Sequence, residues 1–273
     1  MTLRLGWFST GRDQDATNIL ARIDDAIRTG TLDAAIEYVF CNRERGEREV
    51  SDRFHDFAVG RGLRVLSRSS ARFQPELCRQ DRARWRALYD REVLEVVSPF
   101  AVDLCVLAGY MLVVSEVLHG RYIMINLHPA KPDGPAGSWE DVIWRIIADR
   151  QEEAGAMIHV AAAELDRGPV VAYCTFPIRD GAFDPLWEEM AAKLRSATLE
   201  EIRTREGYAE PLFAAIRAAE FKREVPLLLS TLLMITGGRI AFRDKTVLID
   251  GGPAENGLCL NEWVEKQLAG ERP

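Results

Sequence analysis

The feature that most constrains this chain is a series of short apolar runs, each closed by a turn and followed by a stretch with helical spacing. The runs are Leu3–Phe8, Ile36–Cys41, Leu63–Leu66, Asp103–Leu107 and Tyr122–Ile125. After the first, Ile19, Leu20, Ile23 and Ile27 recur at the helical period; Asp52–Gly60 and the charged stretch Asp81–Val97 read as further helices. In the last of these, Trp85, Leu88, Val93 and Val96 approximate one face. A strand such as Asp103–Leu107, apolar with hardly an interruption, has no polar side to show water. It fits a parallel sheet covered on both faces. Strand–helix alternation therefore predicts an α/β fold, a doubly wound, mostly parallel sheet with right-handed crossovers.

The second half keeps part of this rhythm. Pro129–Gly137 is too rich in Pro and Gly for regular structure. Ser138 follows as a helix cap, with Asp141 three residues on completing a capping-box pattern, and Val142, Ile143, Ile146 and Ile147 form the buried stripe. Ala156–Ala163 and Val170–Ile178 read as strands around a turn, Glu164–Pro169. Asp184 to Gly207 is helical and charged. Leu212–Ile235 is a long helix in which Pro226 predicts a kink or break. A hairpin, Arg239–Phe242 with Thr246–Ile249, closes the pattern. The expected division is a catalytic domain over 1–183, with a helical extension and hairpin over 184–273 on the same domain.

Composition narrows the function. The chain has 273 residues, 47% hydrophobic, enough to bury a core without staples. A net charge of -7 argues against general nucleic-acid binding. Arginines crowd 43–91 and acids dominate 140–220, which reads as solvated helix faces or, for the arginines, as a patch for an anionic substrate. The five cysteines are scattered without a CxxC pattern; Cys41, Cys105 and Cys174 sit in apolar runs and read as reduced core residues, and no His/Cys/Asp/Glu spacing suggests a metal site. No apolar run reaches a membrane span, and Met1-Thr2-Leu3-Arg4 leads straight into a strand, so a cytoplasmic location is expected.

Asn126 and His128 end the Tyr122–Ile125 run two residues apart, so both project from one face of a strand end. Ligands of open α/β sheets sit outside the carboxyl ends of the strands. His159, alone in an apolar strand, fits a satisfied core position as well as a catalytic one; His55 and His119 read as surface residues. Asp166 lies in the turn between two apolar strands, placed either to form the turn or to orient an imidazole. The loop Gly11–Asn18, between first strand and first helix, suits an anion or an ordinary turn capped by Asp15 or Thr17. It carries neither GxGxxG nor GxxxxGK[ST].

Three motifs taken together, Asp103-Leu104-Cys105-Val106-Leu107-Ala108-Gly109-Tyr110-Met111, Asn126-Leu127-His128-Pro129 and Glu164-Leu165-Asp166-Arg167-Gly168-Pro169-Val170-Val171, resemble the folate-dependent formyltransferase family. The resemblance implies transfer of formyl from the co-substrate 10-formyltetrahydrofolate to a primary amine. Glycinamide ribonucleotide in purine synthesis is the expected acceptor. A different amine, such as a sugar nucleotide or a biosynthetic intermediate, is the alternative, and hydrolysis of the formylfolate a further one. Catalysis falls by motif on Asn126, His128 and Asp166, with protonated His128 as an oxyanion donor kept charged by Asp166, and His159 in support. Folate contacts fall on Met111, Leu112, Val114, Ala162, Glu164 and Leu165. The acceptor falls to Gly11, Arg12, Thr17 and Asn18, and to an acid near Glu220 or Glu224. The sequence departs from the family in its longer first loop with two added carboxylates, in Leu112 where an Arg is usual, and in the insertion over 184–220. That insertion is expected either to cover the substrate or to form a homodimer contact.

Overall fold

The computed structural model describes residues 2–271. Met1, with which the expected leaderless start begins, and the last two residues of the C-terminal extension lie outside the described residues. In chain order the elements are β1 (Leu3–Ser9), α1 (Gln14–Arg28), β2 (Ala34–Cys41), α2 (Glu49–Gly60), β3 (Val65–Ser67), α3 (Pro75–Gln80), α4 (Arg82–Val97), β4 (Leu104–Leu107), α5 (Glu116–His119), β5 (Met124–His128) and α6 (Trp139–Ala148). They continue with β6 (Glu153–Val160), β7 (Val170–Pro177), α7 (Asp184–Lys193), α8 (Leu199–Glu206), α9 (Pro211–Thr236), β8 (Ile240–Arg243), β9 (Thr246–Ile249), β10 (Gly252–Pro253), β11 (Leu258–Cys259) and α10 (Asn261–Leu268).

The main sheet has the order β11-β7-β6-β5-β4-β1-β2-β3. From β3 through β1 and β4 to β5 all neighbours run parallel; β6 is antiparallel to both β5 and β7, and β11 is parallel to β7. The expected α/β fold with a mostly parallel sheet is what the chain adopts. Its winding direction reverses between β1 and β4, where the carboxyl ends of the strands part and leave a crevice. The loops after these two strands are tied together: Thr10 N–H donates to the Gly109 carbonyl at 3.0 Å, and Met111 N–H to Thr10 Oγ1 at 2.9 Å.

The strands are apolar on both faces because both faces are covered. Leu5, Trp7, Val39, Leu104 and Val106 pack with α1, α2 and the second half of α9, through Ile19, Leu20, Ile23, Phe54, Leu228 and Leu232. The alternate residues Phe8, Tyr38, Phe40, Cys105 and Leu107 pack with Trp85, Tyr89, Val93 and Val97 of α4. A third cluster joins α6, α7, α8 and the first half of α9 through Ile143, Ile147, Trp187, Ile202 and Phe213. So α9 bridges the covered sheet and α6, α7 and α8. No described helix is long and apolar enough to cross a membrane.

Several expectations are corrected. The helix α9 is continuous through Pro226. The carbonyl four residues earlier belongs to Lys222, which is exposed, so water can replace the missing N–H donor. His55 and His119 are buried, not superficial. The inward residues of α2 are Ser51, Phe54, His55 and Ala58, a helical spacing that carries the imidazole with it. His119 sits at the end of α5 with Lys245 Nζ 3.3 Å from its Nδ1. The cap of α1 is Asp13, not Asp15 or Thr17. Ser138 accepts the Asp141 N–H, but Asp141 takes the Ser138 hydroxyl and not the backbone N–H, so the capping box stays open. The strand expected over Ala156–Ala163 runs Glu153–Val160; Ala161 N–H still bonds the Met124 carbonyl at 2.7 Å, and Ala162 and Ala163 lie beyond the strand. The return of the chain as β11 and α10 was not foreseen: two residues are too short a run to read as a strand.

Candidate active site

The carboxyl end of β5 supplies Asn126 and His128. The antiparallel neighbour β6 sets His159 directly opposite Asn126. The β6–β7 turn then returns Asp166, in a left-handed conformation (φ 54°) that aspartate tolerates better than most side chains. Gly168 makes that return possible. A Cβ there would strike the Val160 carbonyl, so only glycine lets the turn close over the strand end.

These elements bring four polar side chains together. Asn126 Nδ2 lies 3.0 Å from His159 Nε2 and 3.4 Å from Asp166 Oδ1. His159 Nδ1 donates to the Val160 carbonyl at 3.1 Å, and its Nε2 lies 3.4 Å from Asp166 Oδ1. His128 Nδ1 lies 3.5 Å from Asp166 Oδ2, and its Nε2 is 3.0 Å from the Pro135 carbonyl. The loop 129–137 grips the cluster at two more points: Gly137 N–H donates to Asp166 Oδ2 at 3.1 Å, and Arg167 Nη1 to the Gly134 carbonyl at 3.1 Å. His128, His159 and Asp166 are all buried.

Burial sets the protonation of the cluster. It pushes the His128 pKa below the ordinary value of 6.5 more strongly than the Asp166 carboxylate and the Pro135 carbonyl push it up. Burial thus favours the neutral imidazole of His128, where the sequence led to an imidazolium. Burial also pushes Asp166 up. Hydrogen bonding from His159, the charge His128 acquires when protonated and the Gly137 N–H outweigh it, and the carboxyl is held below its ordinary range. An ionised carboxylate beside a neutral imidazole can receive a proton on the ring and stabilise it there.

The cluster floors a cleft of about 360 Å³. One wall comes from the loop after β4, with Gly109, Tyr110, Met111, Leu112, Val113 and Val114, and from Ala162, Glu164 and Leu165 before Asp166. The other comes from Arg12, Asp13, Asp15, Ala16, Trp139, Arg217 and Glu224. Of the residues expected at the site, Asn126, His128 and Asp166 meet, and Met111, Leu112, Val114, Ala162, Glu164, Leu165, Arg12 and Glu224 line the same cleft. Gly11, Thr17 and Asn18 do not line it. Gly11 is pressed against Phe54, where a Cβ would lie 2.9 Å from the ring. Asn18 is exposed on α1 and accepts from Gln14. Once Asp13 is the cap, Thr17 and Asn18 stand past the first turn of α1.

Sequence reasoning missed Asp13, Asp15, Trp139 and Arg217 as lining residues. Arg217 had a legible signal, since 217, 220 and 224 fall on one helical face. Its guanidinium pairs with Glu224, lies 3.4 Å from Asp15 and 3.7 Å from Glu220, and stacks 4.8 Å above the Trp139 ring. Burial pushes both Glu220 and Glu224 above the usual carboxylate range, against the pull of Arg217.

Comparison with known proteins agrees with this architecture. Phosphoribosylglycinamide formyltransferase of Escherichia coli (strain K12) is 31% identical over 99 residues, 35% of this chain and 45% of that enzyme, so the match spans less than half of the relative's length. Glycinamide ribonucleotide transformylase 1 from Symbiobacterium toebii superposes with a TM-score of 0.61 at 20% identity, over 91% of this chain and 94% of that one. A formyltetrahydrofolate deformylase from Pseudomonas putida KT2440 gives 0.59 at 17% identity, over 91% and 70%. At these identities the two structures speak for the fold alone. The family model for formyl transferases matches residues 14–198, more than half of the 273, and the chain belongs to the formyl transferase family.

Proposed function

We propose that this enzyme transfers a formyl group from 10-formyltetrahydrofolate to a primary amine. The observation that supports this most is the meeting of Asn126, His128, His159 and Asp166 at one strand end, on the floor of a cleft. The folate's ring system would lie along Met111, Leu112, Val114, Ala162, Glu164 and Leu165, where backbone groups and apolar side chains alternate. The formyl carbon would then stand over Asn126 and His128.

The chemistry follows from the charges. The amine lone pair attacks the formyl carbon, a C–N bond forms, and the carbonyl oxygen becomes an oxyanion. Asn126 Nδ2–H stabilises it, as a fixed donor does where charge develops. Neutral His128 takes the proton released by the amine, and Asp166 stabilises the imidazolium. The proton passes to N10 of the folate as the C–N10 bond breaks, leaving tetrahydrofolate and a formamide. His128 Nε2 faces the Pro135 carbonyl in the structure and so carries the ring hydrogen; loop 129–137 must yield, and that hydrogen must move to Nδ1 beside Asp166, before Nε2 can take the amine proton.

The name of the E. coli relative makes glycinamide ribonucleotide, in purine synthesis, the first acceptor to assay. A second reading, a different amine, is favoured by one observation: the N-terminus of α1 beside the cleft is already filled by the Asp13 carboxylate. Incubation of purified protein with 10-formyltetrahydrofolate, with and without glycinamide ribonucleotide, tests the transfer. Amine-dependent appearance of tetrahydrofolate and of the formylated amine is expected. Stoichiometric formate without any amine would make the enzyme a hydrolase, and folate left intact with every amine would end the transfer reading.

A further inference from the structure

The loop 129–137 engages both working groups of the cluster at once. The Pro135 carbonyl faces His128 Nε2 at 3.0 Å, so the ring keeps its hydrogen on the nitrogen that the reaction needs bare. The Gly137 N–H donates at 3.1 Å to Asp166 Oδ2, the same oxygen that lies 3.5 Å from His128 Nδ1. With Nδ1 bare, that oxygen faces a lone pair and stabilises nothing on the ring. The loop thus stands where the reacting atoms would stand, and it holds His128 in the tautomer that takes no proton at Nε2.

A further contact fixes the loop in that place. Arg167 follows Asp166 in the β6–β7 turn, and its Nη1 donates to the Gly134 carbonyl at 3.1 Å. The turn 131–134 is a tight unit: Gly134 N–H donates to the Lys131 carbonyl at 2.9 Å, and a Cβ on Gly134 would lie 2.7 Å from that oxygen. The chain leaves the loop through Gly137, at φ 120°, a conformation that glycine adopts freely. Behind the loop, a groove of about 850 Å³ runs between residues 133–136, α6 and α8. It is room into which the loop can withdraw, and α8, one of its walls, belongs to the insertion over 184–220.

Resting on the formyl-transfer reading, we propose that loop 129–137 is an inhibitory strap displaced by the formylfolate, and that Arg167 is the positioning residue that latches it. Closed, the strap occupies His128 Nε2 and Asp166 Oδ2. Open, it releases both together. The ring hydrogen then leaves Nε2 to water, Nδ1 takes one in its place and donates it to Oδ2, and Nε2 is bare for the amine proton. Folate binds productively only to the open state, so its apparent affinity is reduced by the fraction of molecules that are open, and the latch sets that fraction.

The test uses the full-length protein as wild type, Arg167→Met and Arg167→Lys, with 10-formyltetrahydrofolate and no amine. Amide hydrogen exchange over 130–137, and at Gly137 above all, reads the strap; titration reads the dissociation constant of the folate. In the wild type, saturating folate should speed this exchange about tenfold. Without folate, Arg167→Met should exchange about tenfold faster than the wild type, and it should bind folate about fivefold more tightly. Arg167→Lys keeps a donor and should stay within about threefold of the wild type in both. Tightening is the telling sign, because loss of a cation beside the anionic folate would by itself weaken binding. Slower exchange over 130–137 when folate binds, or an Arg167→Met protein that exchanges like the wild type or binds folate more weakly, would overturn the strap and leave formyl transfer standing. Absence of folate binding in all three proteins would overturn both.

Discussion

At the scale of single residues the cluster can be separated by what each group gives. Asn126 is the one neutral donor aimed from the strand end, so Asn126→Ala should lower kcat about 10²–10³-fold, the usual loss of an oxyanion donor, with little change in KM. A change confined to KM would remove Asn126 from the transition state. The pH profile examines His128. Burial holds its pKa below 6.5, so it is free to accept a proton above that depressed value and occupied below it. At saturating amine, kcat should rise with pH through a midpoint below 6.5. Asp166→Asn removes a carboxylate that pushes His128 up, so the midpoint should fall further while kcat drops. A kcat that instead falls as pH rises through the His128 midpoint would mean that His128 works as the imidazolium. His128 also shows what sequence can and cannot carry. Its place beside Asn126 was legible from a spacing of two in a strand. Its charge was not, because that depends on how much protein covers the ring.

At the scale of elements the site depends on two turns. The β6–β7 turn returns Asp166 only because Gly168 lets the chain pass against the Val160 carbonyl. Gly168→Ala should therefore destabilise the protein by about 3 kcal/mol, the upper end of overpacking costs, and reduce activity in the fraction that still folds. Urea unfolding measures the first and activity per folded molecule the second; a wild-type midpoint would show that the turn has slack. The longer strands, the stripes of α1 and α6 and the loop 129–137 were readable, since each rests on local spacing or on Pro and Gly chemistry; in α4 the inward face is Trp85, Tyr89, Val93 and Val97, so Leu88 and Val96 were misplaced. His159 was readable only as a core residue or, by the resemblance, a supporting one, because its place comes from register: β6 sets it across from Asn126, over thirty residues earlier in the chain. Thr17 and Asn18 misled for a related reason. Three acids and amides in succession offered competing caps, and the choice of Asp13 moved the start of α1 and took both residues past the first turn. Pro226 predicted a kink or break; the helix does not break there, and the carbonyl left without its N–H donor belongs to the exposed Lys222.

At the scale of the whole molecule α9 joins α6, α7 and α8 to the covered sheet while bearing the acidic end of the cleft. Its apolar residues enter two separate core clusters, and between them lie Arg217, Glu220 and Glu224. The helix thus carries buried charge at its centre, where an apolar residue would stabilise it better. Glu220 is the costliest of these. Burial, and then the neighbouring Glu224, push its pKa well above 4.5, with Arg217 opposing both. The sign of its effect on stability follows from the proton count. As pH rises above 4.5 the unfolded chain ionises Glu220 and gains by it, while the folded chain still holds the proton. Folding then becomes less favourable with each step in pH, until the folded-state pKa is passed. Glu220→Gln removes that linkage and leaves Arg217 paired with Glu224 and Asp15. The variant should match the wild type near pH 5 and exceed it near pH 8 by roughly 1–3 kcal/mol, the cost of a buried polar group without its partner. Urea unfolding at the two pH values measures the difference. A variant that is less stable than the wild type at pH 8 would mean that the ionised Glu220–Arg217 pair holds α9 in place, and that the buried charge supports the fold as well as the cleft.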